Sequence, residues 1–538
     1  MNKLFLLLLA GICLVIYFGY LGNGFIFDDN ILVENNPFIK SARFLPNIFK
    51  TGIYEYWTGQ QAYDRMYRPL QMFSYYLDYG LWGLNPSGFR LTNLILHLLN
   101  SILVFYLIFS IFKDKLLARG ASLLFLVHPV QISTVAYISA RGDLLSGFFI
   151  LACCILFIRF LSSSNYRLYF LSLLSAFLAF LSRENGLIII FLLGLIILAA
   201  GEKKKFRYLI GFCFLYIVYF GIRFAALGPS GLVTHPAYLT AAAGLVNFGN
   251  IILRYILLLL WPVDLRMFHL AALVNKINIA FLCWASAGLL FFLLALARQG
   301  KRRWVWFSFF WFLSGMIPVY FCFDAYPAAG KALMAESWLY LPSIGFFTAF
   351  SGICLLIKPG RLIIYGCVII LGGLVLANRV YWRDDVAFYE RTAYFLAENS
   401  FVQRNLALAY IRKGDFSRAR QVIEKLQKYY PDSPIVNSLR GQYYLKRGMP
   451  VAALSYFQEI LIKSFFTNYS VSLCYSSLGD FDKAMQFSQA SFNQNAFYLP
   501  NIIQLAYLYG QAGQLEQANK YLALAQALDP KNKQPTLK

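Results

Sequence analysis

Apolar stretches close to the ~20 residues that a helix needs to cross a bilayer recur through the first 380 residues. They lie at roughly 4–21, 90–112, 118–138, 142–161, 167–182, 186–200, 208–226, 277–297, 304–323, 338–357 and 361–378. About eleven crossings leave little choice of architecture. Hydrocarbon offers the backbone no hydrogen-bond partner, so runs of this length must satisfy their own amides as helices. The composition agrees, with 59% hydrophobic, 18% aromatic and only 14% charged residues, far from soluble usage. The net charge of +23 does not point to nucleic acid, because the lysines and arginines sit in short clusters between apolar runs. The nine cysteines show no disulfide or metal-type spacing.

Those basic clusters set topology. Lys113/Lys115/Arg119, Arg159/Arg167, Lys203/Lys204/Lys205/Arg207, Arg298/Lys301/Arg302/Arg303 and Lys358/Arg361 alternate with loops of lower positive density, as the positive-inside rule requires. The first apolar run is read as an uncleaved anchor, since no small-residue cleavage site precedes Asn23. By parity, Asp28-Asp29, the Arg141-Gly142-Asp143 loop, the Ser182 to Gly186 break and the segment from Asp324 to Glu336 share the non-cytoplasmic side. This parity requires 246–262 to be interfacial or re-entrant, which Arg254 and the Trp261-Pro262 end permit. The first outer loop, 22–89, is rich in Tyr and Trp and is expected to fold as a layer at the membrane interface.

After Tyr381-Trp382-Arg383-Asp384-Asp385 the hydropathy falls. Gly414, Gly448, Gly479 and Gly513 recur at spacings of 34, 31 and 34, each followed at one offset by Ala419, Ala453, Ala484 and Ala518. A period near 34 with Gly at the turn and Ala where helices meet is the tetratricopeptide (TPR) signature. The expected organisation is a membrane domain over 1–380, a linker over 381–395 and a TPR domain over 396–538. An array with its own stacked core is expected to capture acceptors and to be dispensable for slow chemistry on a small hydroxyl or water.

Charged groups beside hydrocarbon are costly and therefore suggest function. The acidic pair Asp28-Asp29 closes the first apolar run, although an acidic loop start or helix cap accounts for such a pair equally well. Arg68, Arg141 and Arg183 fall on the same side. A guanidinium fork matches phosphate oxygens, and a carboxylate can take the proton of an attacking hydroxyl; each arginine can equally be an interfacial anchor or an ion-pair partner. His97 and His128, both within spans, are read as packing residues. No Gly-rich phosphate loop, Ser-His-Asp set, dinucleotide fingerprint or metal motif is present.

The runs Phe27-Asp28-Asp29-Asn30, Tyr67-Arg68-Pro69-Leu70, Val127-His128-Pro129-Val130, Ala140-Arg141-Gly142-Asp143, Leu181-Ser182-Arg183-Glu184-Asn185-Gly186 and Trp338-Leu339-Tyr340-Leu341-Pro342 resemble the transmembrane-and-tetratricopeptide (TMTC-type) protein O-mannosyltransferases of the GT-C superfamily. The resemblance runs from end to end, although the tail holds about four repeats where the animal members carry longer arrays. It implies an all-α polytopic GT-C-like domain followed by a TPR solenoid, and a lipid-phosphate sugar donor. It also implies a non-cytoplasmic active site in the first loop, with the catalytic acidic pair falling on Asp28 and Asp29.

The expected activity is transfer of a sugar, mannose by resemblance, from a polyprenyl-phosphate donor to a protein or glycan acceptor. Asp28 is assigned as general base and Asp29 as its support. Arg68, Arg141 and Arg183 are assigned to the donor phosphate, with Glu184 holding one of them. No cofactor or obligatory metal is expected. The partners are membrane lipids, the lipid-linked donor and an acceptor held by the TPR domain, with no nucleic acid. The location is the inner or plasma membrane, or the endoplasmic reticulum membrane in a eukaryote. The alternative is a membrane-anchored TPR scaffold for envelope or secreted components.

Overall fold

The computed structural model describes residues 3–58, 66–231, 241–272, 303–322, 331–431 and 433–531. Five of its helical segments are long and apolar enough to cross a membrane: Lys3–Tyr20, Pro86–Phe112, Ile138–Ser163, Lys203–Leu227 and Gly360–Trp382. A sixth crossing is formed if Lys115–Val127 and Pro129–Val135, bent by 52°, count as one. The bend has a local cause. Pro129 has no N–H to continue the helix, and His128 turns its Nδ1 to accept the Val130 N–H at 3.2 Å. Shorter apolar helices occupy Tyr166–Ser182, Glu184–Ala200, Val246–Leu260 and Ser343–Cys354. Fewer helices thus pass the length test than the eleven stretches expected, because the apolar helices within 167–182, 186–200 and 338–357 are too short; 277–297 lies outside the described residues.

Both buried histidines are packing residues. His97 meets the Tyr340 hydroxyl at 3.0 Å and the Leu126 carbonyl at 3.1 Å, and His128 Nε2 donates to the Leu259 carbonyl at 3.0 Å.

The described residues of the loop after the first apolar helix, 22–58 and 66–89, form a folded layer. It contains a π-helical turn, Asn30–Glu34, two 3₁₀ turns, the short helices Leu45–Lys50 and Glu55–Thr58, and the longer helix Pro69–Trp82. Leu32, Val33, Phe38, Ile39, Ile48, Ile53, Tyr56, Met72, Tyr75 and Tyr79 form its core. An antiparallel ribbon, Phe268–Ala272 with Lys331–Ala335 in the register His269↔Met334, adds the one sheet among the described residues of this otherwise helical body.

Four helix pairs follow: Ser400–Lys413 with Phe416–Tyr429, Pro434–Lys446 with Pro450–Gln458, Phe465–Ser477 with Phe481–Gln494, and Leu499–Gln511 with Leu515–Leu528. Gly414, Gly448, Gly479 and Gly513 take φ values of 72 to 80° at the turns within the pairs, a region open to glycine at no steric cost. Ala419, Ala453, Ala484 and Ala518 are fully buried where paired helices touch.

The segment 381–395 is not a linker. Asp384 caps the helix Asp385–Phe395 by accepting the Ala387 N–H at 2.8 Å, and that helix buries Val386, Phe388, Tyr389 and Ala393. Its mean hydropathy is low, but its buried residues pack against neighbouring elements, among them the first repeat helix, while Tyr394 stays exposed.

Candidate active site

Asp28 lies just beyond the first membrane helix, in a tight turn where Asp29 N–H bonds to the Ile26 carbonyl and Leu32 N–H to that of Asp28. The residue is partly buried. The Tyr54 hydroxyl donates to Oδ2 at 2.8 Å. The Tyr137 hydroxyl lies beside the same carboxylate and has no hydrogen-bond partner of good geometry among the described residues. Burial raises the Asp28 carboxyl above its ordinary value, with the two phenols and the charge of Arg68 working the other way. A carboxylate of raised basicity, ringed by hydroxyls, is suited to receive a proton.

Asp29 is different in kind. It is fully buried, and its Oδ1 accepts both the N–H and the hydroxyl of Ser139, at 2.8 and 2.7 Å. Arg90 approaches Oδ2 to 4.0 Å and also bonds the carbonyls of Ala136, Asn23 and Gly24. Burial pushes the Asp29 carboxyl up to about 7 despite Arg90 and Ser139. The residue pins the acidic turn to the 136–139 segment, which fits a supporting role.

Arg68, Arg183 and Glu184 come together. Arg68 Nε and Nη2 meet Glu184 Oε2 at 2.9 and 2.8 Å. Arg223 reaches Glu184 Oε1 at 3.5 Å. Arg183 pairs with Asp143, whose other oxygen accepts from Asn185 at 3.0 Å. Three guanidiniums therefore share two carboxylates near Asp28, leaving a net positive mesh suited to a phosphate.

Arg141 does not join them. It is fully buried, its Nη1 is 2.5 Å from Asp78, its Nε donates to Asn93 at 2.8 Å and its Nη2 to the Phe89 carbonyl at 2.6 Å, while its plane faces the Tyr75 ring at 4.8 Å. With every nitrogen committed inside the body, it is a structural ion pair rather than a phosphate ligand. Arg141→Ala would leave Asp78 buried and unpaired, so about 3–5 kcal/mol of stability should be lost. A thermal melt in detergent should show this as a large downward shift; an unchanged melt with a raised donor KM would restore the phosphate role.

A second polar group joins Glu336, which parity places on the side of Asp28-Asp29, to His269 and Arg266, which carry no sequence signal. His269 Nε2 donates to Glu336 Oε1 at 3.0 Å, the Arg266 N–H donates to the same oxygen at 2.6 Å, and Arg266 Nε donates to His269 Nδ1 at 3.2 Å. Only the ribbon joins these residues. It sets the neighbouring Phe268 ring 5.4 Å from Phe27, beside the acidic turn. Arg223 has a sequence signal of its own, an arginine inside an apolar run. Among the described residues no group of three or more His, Cys, Asp or Glu side chains could hold a metal ion.

Residues 404–465 and 500–532 match the tetratricopeptide repeat family. Over 422 residues the chain is 25% identical to a protein O-mannosyl-transferase of Caenorhabditis elegans, covering 74% of this chain and 59% of the worm protein. Over 157 residues it is 33% identical to human protein O-mannosyl-transferase TMTC1, covering 29% of this chain and 17% of the human one. The chain resembles the TMTC-type O-mannosyltransferases. It spans less than two thirds of the length of either relative. Among solved structures, ArnT from Cupriavidus metallidurans bound to undecaprenyl phosphate is 13% identical, with a TM-score of 0.40 over 91% of this chain and 80% of that one. By the length and composition of its helices the chain is a multi-pass membrane protein, and its described residues are mainly helical with a C-terminal TPR array.

Proposed function

We propose that this protein is a membrane glycosyltransferase that moves one sugar, mannose by likeness to its relatives, from a polyprenyl-phosphate donor to a hydroxyl acceptor on the non-cytoplasmic side. The observation that carries this reading is the Asp28 carboxylate between the Tyr54 and Tyr137 hydroxyls, with the Arg68–Glu184–Arg223 and Arg183–Asp143 pairs alongside.

The acceptor oxygen attacks the anomeric carbon as the bond from that carbon to the phosphate oxygen breaks. Asp28 takes the hydroxyl proton, and the lipid phosphate departs with the bonding electron pair. A direct displacement of this kind inverts the anomeric centre. Arg68 and Arg183 stabilise the charge that develops on the phosphate, and Glu184 fixes Arg68.

The test is incubation of the purified, full-length protein with radiolabelled polyprenyl-phosphate sugars and membrane extract. Label passing to protein or glycan supports the enzyme. Absence of transfer across several donors favours the scaffold alternative.

A pH dependence follows from burial. Asp28 works as a base only when ionised, and its carboxyl lies above the ordinary 3.8. Activity should therefore be present at neutral pH and fall as pH is lowered, with a one-proton limb centred above 3.8. A profile of kcat/KM against pH with no acid limb down to pH 4 would count against Asp28 as base.

A further inference from the structure

Phe27, the residue before Asp28, is in the left-handed region at φ 49°; the other non-glycine residues so placed among those described, Lys113 and Ser164, end helices. A bulky side chain holds that conformation only where its surroundings impose it. Here they do. The Phe27 N–H donates to Asp385 Oδ1 at 2.9 Å, and the Asn30 amide donates to Asp385 Oδ2 at 3.2 Å and to the Phe27 carbonyl at 3.2 Å. One carboxylate thus brackets Asp28-Asp29 from both sides.

The Phe27 ring lies among five others, with centroids 5.4 to 6.4 Å away: Tyr137, Phe268, Phe388, Tyr389 and Phe401. Phe388 and Tyr389 belong to the helix of Asp385, and Phe401 to the first repeat helix. Arg412, at the end of that repeat helix, pairs with Asp385 at 2.5 Å.

The far end of the array grips the same loop. Asp529 takes Lys40 and the Tyr79 hydroxyl, both at 2.9 Å, with both partners of the ion pair buried. Phe497 packs on Phe38 at 5.1 Å and Phe44 at 6.1 Å, and the Asn495 amide donates to the Tyr56 and Trp57 carbonyls at 2.9 and 3.2 Å.

We infer that Asp385 is a positioning residue for the Asp28 carboxylate, and that through it the repeat array holds the catalytic turn in working geometry. This rests on the assignment of Asp28 as general base. A displacement of about 1 Å at a reacting group costs on the order of 100-fold in rate, so the loss of one such hold has a measurable effect.

The experiment compares full-length Asp385→Ala, Asp385→Asn and Asp28→Asn for transfer kinetics, thermal melting and amide hydrogen exchange over the 24–32 segment. Asp385→Ala is expected to lower kcat at least ~10-fold with donor KM within about 3-fold and the melt little changed, and to speed exchange at the turn. Asp385→Asn should recover part of the rate, because its amide oxygen still accepts the Phe27 N–H while its NH2 can no longer accept from Asn30 or pair with Arg412. Wild-type kcat in Asp385→Ala, with Asp28→Asn inactive, overturns this inference alone, whether or not exchange rises. Wild-type kcat in Asp28→Asn overturns the base assignment and this inference together. A collapsed melt in Asp385→Ala, with Asp385→Asn folded but as slow as the alanine variant, also overturns it.

Discussion

Asp28→Asn should reduce sugar transfer by at least ~100-fold, the usual scale of a lost general base, while leaving the fold in place. The amide has nearly the same shape and can still accept from the Tyr54 hydroxyl, now 2.8 Å from Oδ2, but it cannot take a proton at neutral pH. Among the described residues no ion pair holds Asp28 as Arg90 holds Asp29, so the loss of its charge should disturb the fold less. Initial rates with saturating donor, set beside a detergent melt of the same preparation, are the measurement. Asp29→Asn is the informative contrast: it weakens the pin to Ser139 and Arg90, so both the melt and the rate should fall. Full turnover in Asp28→Asn would remove the residue from the chemistry.

The membrane body and the repeats were legible because each rests on a local period, span-length apolar runs in one case and the Gly-to-Ala spacing in the other. The acidic pair was legible because charge at the end of an apolar run is costly. The assignment of Asp28 as base and Asp29 as its support had no contacts behind it in the sequence, since these lie further along the chain: Asp29 meets Ser139 and Arg90, and Asp28 meets Tyr54 and Tyr137. Arg141 shows the limit in the other direction. Its position beside Gly142 and Asp143 resembles that of Arg183 beside Glu184, yet the helix turn at 138–141 points it inward to Asp78 and Asn93. Nothing within a window around residue 141 encodes that turn. The same holds for His269 and Glu336, which meet only because a two-stranded ribbon closes between them.

Deleting 396–538 should abolish both acceptor glycosylation and donor hydrolysis, each by at least ~100-fold, the scale expected when a reacting group is misplaced. The repeat period alone implies otherwise, because an array that stacks on itself is separable from the chemistry. The contacts of this array are not confined to itself. Phe401 and Arg412 from the first pair stand against Phe27 and Asp385, and Phe497 and Asp529, which flank the last pair, against Phe38, Phe44, Lys40 and Tyr79. Truncation would uncover the apolar faces of Phe38 and Phe44 and release the turn that carries Asp28. Hydrolysis of donor by water needs no acceptor site, so it isolates the catalytic loop from acceptor capture. Measured beside transfer in detergent, with helix content checked by circular dichroism, loss of both activities means that the solenoid belongs to the catalytic architecture. Hydrolysis at the full-length rate with transfer lost would return the array to acceptor binding and leave the first loop able to hold its own geometry.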